Sequence, residues 1–298
     1  MLKKSVVAAK AQVEHTQAER KIMSEVKHPF LVQLRYAFQS DEKLYIVTDY
    51  YNGGSLYYHL RRAKFFAPER TRFYAAQLAM ALAHLHNLKI IYRDLKLENI
   101  LMHSSGNIAI TDFGLSKQGV DENANTQTFC GTAEYIAPEL LEDKPYGPIV
   151  DWWSFGILIF EMLTGKTPFV NHNRRLMFYR IQNSDPNFPN EIDAVTVAFI
   201  KKLLKKNKSE RLGSVETGGA GAVMADAYFE SVDFKALFEK QVPPPFVPEL
   251  KNDFDLRYIP RTVKEQTTGE SFSEEKKGIR PGTKTNINFE NFAYNEDK

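Results

Sequence analysis

The feature that most constrains this chain is a polar octapeptide, YRDLKLEN (92–99), set between two short runs of mainly apolar residues, LKII (88–91) and ILM (100–102). Apolar segments on both sides fasten its ends in a core, so Asp94, Lys96 and Asn99 are carried beside buried structure, where charge needs a partner. A second signal supplies one. TDFG puts Asp112 at the end of the strand-like IAIT (108–111), with Gly114 two positions on to permit a sharp turn. A carboxylate at a strand end beside a glycine suits a magnesium ion, a hard cation that takes oxygen ligands and shares them with phosphates. Asn99, at the start of the neighbouring strand, offers a second oxygen. Asp94 can then accept a proton from, and orient, an attacking hydroxyl, while Lys96 neutralises a phosphoryl group in flight. Phosphoryl transfer needs little more than this positioning and charge neutralisation.

Composition removes several alternatives. With 43% hydrophobic and 26% charged residues over 298 positions, the chain is ordinary globular material with room for a sizeable core. A net charge of +2 gives no reason to expect a nucleic-acid partner. The basic run KKLLKKNK (201–208), read with Val197, Ile200, Leu203 and Leu204, is expected to be the solvated face of an amphipathic helix. The apolar stretch FGILIF (155–160) is far short of the roughly 18 residues a membrane span needs. The N-terminus lacks a sustained apolar signal core, and a lone cysteine, Cys130, fits a reducing compartment and a small packing role. A soluble monomer in the cytoplasm, with the nucleus also open, is the expectation.

Along the chain, residues 11–25 have helical spacing, and 31–51 read as two β-rich strands around SDEK. From 55 to about 240 the pattern is mostly helical, over 71–88, 150–165 and 194–207, interrupted by the strand-like pieces of 99–112. The chain becomes proline-rich and extended at VPPPFVPEL (242–250). It is polar and charged over 260–288, and ends in the aromatic cluster NFENFAY (288–294).

YRDLKLEN, DFG and APE (137–139) stand in the order and at the separations of the eukaryotic protein kinase catalytic loop, metal-binding loop and activation-segment end. EHTQAERKIM, TFCGTAEYIAPE, FEKQVPPPFVPEL and FENFAY further resemble the AGC group: the protein kinase A, protein kinase C, Akt and ribosomal S6 kinase relatives. The resemblance covers nearly the whole chain. It implies an α+β, bilobal protein-kinase-like fold: a partial small lobe at 1–51, a helical large lobe at 52–230 and a C-terminal tail at 231–298. The implied activity is ATP- and magnesium-dependent transfer of the γ-phosphoryl group to serine or threonine of protein substrates.

By that resemblance Asp94, Lys96 and Thr132 are catalytic, and Asn99 and Asp112 are the metal ligands. Thr48 matches the gatekeeper, with Asp49, Tyr50 and Tyr51 as the adenine-contacting hinge. Ser55, Glu98 and Leu101 complete the nucleotide side. Glu139 with Arg211, and Asp151, match structural supports. Met23, Leu34, Tyr92 and Phe113 match a stacked apolar column. Thr128 falls at the activating phosphorylation site of an upstream kinase, with Arg93, His15 and Lys117 as its basic ligands. Glu19 is the helix glutamate that pairs with a strand lysine in relatives. Phe289 and Phe292 are hydrophobic-motif anchors.

Three departures stand out. No Gly-rich loop and no strand lysine precede Glu19, with Lys3 or Lys4 the available substitutes. The expected explanation is truncation of a complete kinase, and the rival is a catalytically impaired pseudokinase scaffold acting by protein contact. Ser55 stands where basophilic relatives carry a glutamate, while Glu98 and Glu161 remain, so a preference for basic substrate residues is expected, weakened at one position. Ala293 stands where relatives have a phosphorylatable residue, which implies constitutive docking of the tail. Thr267, Thr268 and Ser271 are candidates for a further phosphosite.

Overall fold

The computed structural model describes residues 1–9, 12–120, 130–260 and 289–296. Thr128 and the trio Thr267, Thr268 and Ser271 lie outside the described residues. In the small lobe, strands β2 (Leu34–Gln39) and β3 (Lys43–Thr48) form an antiparallel hairpin, turned where the Ser40 hydroxyl accepts the Lys43 amide at 3.2 Å. Strand β1 (Leu2–Lys3) flanks β3. The register of β2 shifts between Leu34, opposite Thr48, and Tyr36, opposite Val47, leaving Arg35 as an extra residue. That bulge resets the alternation of faces. Leu34 and Ala37, three apart, are therefore both buried, beside Ile22 and Met23 of helix α2 (Val13–Glu25) in one core. A short helix α1 (Lys4–Ala9) leads in from β1.

The large lobe opens with α3 (Leu56–Ala63) and α4 (Pro68–Asn87), the latter with proline in its first turn, where a missing N–H costs nothing. After the small strands β4 (Ile90–Ile91), β5 (Ile100–Met102), β6 (Ile108–Ile110) and β7 (Lys117–Gln118) come α5 (Pro138–Leu141) and α6 (Ile149–Thr164). Helix α6 is buried continuously from Val150 to Phe160, mostly apolar residues with Asp151 and Ser154 among them. Gly156 lets α8 (Ala194–Leu203) approach, since a Cβ there would come within 2.9 Å of the Leu203 Cβ. Helices α7 (Arg174–Asn183), α9 (Gly219–Met224) and α10 (Phe234–Phe238) complete the lobe. Among the described residues, no helix is long and apolar enough to cross a membrane.

In the basic run 201–208, Lys201, Lys202, Lys205 and Lys208 are exposed as expected, and Lys206 departs. Helix α8 ends at Leu203, and Lys206 lies half-buried 4.3 Å from the Phe169 ring centroid, donating to the Ile181 carbonyl at 2.7 Å. Burial brings its ammonium down to about 8. Helical periodicity cannot reveal a turn that folds a lysine stem back over aromatic rings.

Two further contacts set the frame. Arg211, fully buried, donates Nη1 and Nη2 to the two carboxylate oxygens of Glu139 at 2.7 and 2.9 Å. The tail crosses the large lobe with Phe246 on one side of the Arg70 guanidinium and Phe66 on the other, each ring 4.0 Å away. It then reaches Gly54, where a Cβ would stand 2.8 Å from the Tyr258 Cβ. Arg211→Ala, which strands a buried carboxylate, is expected to cost about 3–5 kcal/mol by denaturant unfolding, with part of the loss relieved by adding Glu139→Leu.

Candidate active site

Strand pairing gathers the polar loop and TDFG into one place. Strand β4 pairs with β7, Ile91 opposite Lys117, and β5 pairs with β6, Ile100 opposite Ile110. The loop therefore leaves beside the strand after Phe113 and returns beside the strand that runs into Asp112. Arg93 and Asp112 both sit in the left-handed backbone region, at φ 70° and 61°. Such conformations persist only where surrounding bonds over-determine them. For Arg93 the bonds come from Asp151, wholly buried on α6. Its Oδ2 accepts the Tyr92 amide at 2.9 Å and His86 Nε2 at 2.8 Å, and its Oδ1 accepts the Arg93 amide at 2.8 Å.

Asp94, 8% exposed, is the convergence point. Its Oδ1 accepts the Thr132 hydroxyl at 2.9 Å, and its Oδ2 accepts Lys96 Nζ at 2.7 Å and Asn99 Nδ2 at 3.0 Å. Lys96 Nζ also donates to Thr132 Oγ1 at 3.0 Å. Since Asn99 spends its amide nitrogen on Asp94, its carbonyl oxygen is the acceptor left for a cation. Asp112 is exposed and accepts the Gly114 amide at 3.2 Å. The Tyr92 phenol lies between, donating to the Thr111 carbonyl. Complete burial and the charges of Asp112 and Asp94 push it well above its ordinary range. Tyr92 and Phe113 meet edge to face at 5.7 Å, and Met23 and Leu34 are buried in the same core.

The other residues singled out from sequence lie as follows. Thr48 ends β3 and donates to the Asp49 carbonyl at 3.2 Å. The Asp49 carboxylate is taken by Arg35 Nε at 2.6 Å. Tyr51 stands edge to face with His103, its phenol pushed up to about 12 by burial and by Asp49. Ser55 caps α3, accepting the Tyr58 amide at 3.2 Å, so its hydroxyl is engaged by the helix. Its backbone bridges to the half-buried Leu101. Glu98 is exposed in the turn 97–99, and its charge reaches Glu161.

Glu161 accepts the Tyr135 phenol. Burial, despite that bond, and the charges of Glu98 and Glu134 hold its carboxyl up to about 7. Arg93 extends to the Leu115 carbonyl and the Tyr146 hydroxyl, His15 is exposed in the first turn of α2, and Lys117 lies on β7. How these three basic residues relate to Thr128 falls outside the described residues. Lys4 is turned toward Phe289, its Nζ 5.9 Å from that ring's centroid.

Sequence reading missed the C-terminal strand. Phe289 and Phe292 are buried, with the Phe289 carbonyl held by Gln39 at 2.8 Å and the Phe292 carbonyl by Arg20 at 2.9 Å. The chain then forms β8 (Tyr294–Asn295), a fourth strand on the free edge of β2. It also missed Arg35, His86 and Tyr135. Of these only His86 carried a signal, as the last inward position of a helix leading to the loop.

A family model described as the protein kinase domain matches residues 1–229. The RAC-beta serine/threonine-protein kinase of Homo sapiens is 42% identical over 259 residues, 87% of this chain and 54% of that protein. The RAC family serine/threonine-protein kinase homolog of Dictyostelium discoideum is 43% identical over 260 residues, 87% and 57% of the respective chains. The RAC-beta serine/threonine-protein kinase B of Xenopus laevis is 41% identical over 262 residues, 87% and 53%. The chain spans about half the length of the curated relatives it matches.

Glu19 supplies a pH signature. Burial and the nearby charge of Asp112 push its carboxyl from 4.5 up to about 7. Between those values the folded state holds a proton that the unfolded state has released, so stability falls as pH rises through this window. Glu19→Gln removes the titration. Its melting temperature relative to the unsubstituted chain is expected to be higher at pH 8 than at pH 4, by the equivalent of about 1–3 kcal/mol.

Proposed function

Because this chain belongs to the protein kinase family and is related to the RAC serine/threonine kinases, we propose that it transfers the γ-phosphoryl group of ATP to serine or threonine hydroxyls of proteins. The observation that carries this reading is the buried Asp94 carboxylate with Lys96, Asn99 and Thr132 on its two oxygens. Fixed at both oxygens, Asp94 can orient an incoming hydroxyl and take its proton as the new O–P bond forms and the bond to ADP breaks. Lys96, bonded to Asp94 and Thr132, lies where charge on the transferring group needs a cation. Asn99 and Asp112 would hold magnesium, an oxygen-only pair that suits an ion sharing its coordination with phosphates; when bound, that ion neutralises charge on the nucleotide.

Glu161 with Glu98 and Glu134 supports basic substrate residues, since a guanidinium would supply counter-charge to a carboxyl that burial, with the charges of Glu98 and Glu134, holds up to about 7. Thr128 is the proposed activating phosphosite, set by an upstream kinase, with Arg93, His15 and Lys117 as candidate ligands of the phosphate.

A second reading, a non-catalytic role through protein contact, is favoured by one observation. Glu19 lies buried near Asp112, a second carboxylate, and burial and that charge push its carboxyl up to about 7.

Transfer of labelled phosphate to arginine-bearing serine peptides separates the two. Asp94→Asn in the full-length protein is expected to lower the rate by about 10²–10⁴ while nucleotide binding persists. Equal rates would take Asp94 out of its assigned role, and no transfer by the unsubstituted protein would favour the contact reading. For such peptides KM is expected to rise as pH falls from about 8 to 6, as Glu161 gains its proton, and Glu161→Gln should flatten that profile.

A further inference from the structure

Arg35 is the extra residue of the β2 bulge, and a bulge turns a side chain out of the ordinary alternation. Here the re-aimed guanidinium reaches two elements at once. Its Nε donates to Asp49 Oδ1 at 2.6 Å, at the end of β3 where the hinge begins, and its Nη1 donates to Glu296 at the end of β8. The backbone repeats the link on both sides. The Glu296 amide donates to the Arg35 carbonyl at 3.1 Å, and the Asp49 amide donates to the carbonyl of Gln33, two residues before Arg35, at 3.2 Å. Ala293 carries no hydroxyl, whereas Glu296 brings a built-in carboxylate three residues later.

We propose that Arg35 is a positioning residue that couples docking of the C-terminal strand to the geometry of the hinge, with the Glu296 carboxylate supplying the anionic charge that fastens the strand. The consequence for nucleotide affinity rests on the proposed kinase function; the coupling itself does not. All three side chains are partly exposed, with Arg35 at 43%, so either ion pair alone would contribute little. The arrangement acts because one guanidinium serves both carboxylates. Removing Glu296 leaves Arg35 held by Asp49 alone, a single partly exposed pair that opens more readily, and the hinge loses a fixed neighbour. Tyr51, whose phenol feels the Asp49 charge, lies on the same stretch.

Amide hydrogen exchange on the full-length protein tests the coupling without reference to activity. In Glu296→Gln, exchange at the Asp49 amide is expected to quicken about threefold, the size of a single partly exposed ion pair, while α2 keeps its protection. Phe292→Ala, which undocks the strand by its apolar anchor, is expected to quicken Asp49 to the same degree. Asp49→Asn added to Glu296→Gln should quicken the hinge no further, so a double-substitution cycle reads non-additive. Arg35→Lys, which keeps the charge but loses the fork, should behave like Glu296→Gln. Unchanged exchange at Asp49 in Glu296→Gln, or strictly additive effects of the two acidic substitutions, overturns the proposal. In parallel, the dissociation constant of a fluorescent ADP analogue is expected to rise by the same factor in Glu296→Gln. A hinge that quickens with nucleotide affinity unchanged would overturn the assignment of the hinge to nucleotide while leaving the coupling intact.

Discussion

A carboxylate sealed inside a helical lobe is costly unless every lone pair is engaged, and Asp151 meets that demand with the groups that the polar loop must present. It takes the amides of Tyr92 and Arg93 and the imidazole of His86. The main chain at Arg93 is thereby held in a left-handed turn that it would leave if free. The next residue is Asp94, so the aim of that side chain depends on a bond network anchored on α6 rather than on the loop's own preferences. Lys96, Asn99 and Thr132 then close around Asp94. Satisfied polar networks of this kind specify one geometry, because any alternative leaves a buried charge without a partner.

The same logic separates the two acidic centres. Around Asp94 the neighbours are donors. Around Glu19 and Glu161 burial is the leading influence, with the nearby charges of Asp112 for the first and of Glu98 and Glu134 for the second adding to it, and both carboxyls are held up to about 7. A closer cation would favour the charged form of either group. The first lies near Asp112 in the TDFG turn; the second shares its surroundings with Glu98 and Glu134.

Much of this was legible in the sequence because it is local. YRDLKLEN and TDFG lie on two adjacent strand ends, and their pairing follows from the apolar runs that flank them. Helices α4 and α6 start within three residues of their expected positions, since periodicity and a leading proline mark them. What could not be read depends on distant partners. Strand β8 pairs with a strand more than 250 residues earlier, and its two residues carry no pattern of their own. The bulge at Arg35 is a matter of register, which alternation in a single strand does not reveal. Lys206 looked solvated because helical spacing was extended past the helix end. Ser55, placed on the nucleotide side by resemblance, also caps the first turn of α3, a contact that the resemblance did not indicate.

The clasp of Phe66 and Phe246 about Arg70 has a consequence for competition. It pins the tail on the large lobe, and Tyr258 extends that hold to Gly54, while Phe289 and Phe292 are pinned on the small lobe. Both holds are on one chain, so the aromatic anchors meet their seats as an intramolecular event. A free peptide bearing the same two rings must outcompete that tethered pair for the places held by Arg20 and Gln39.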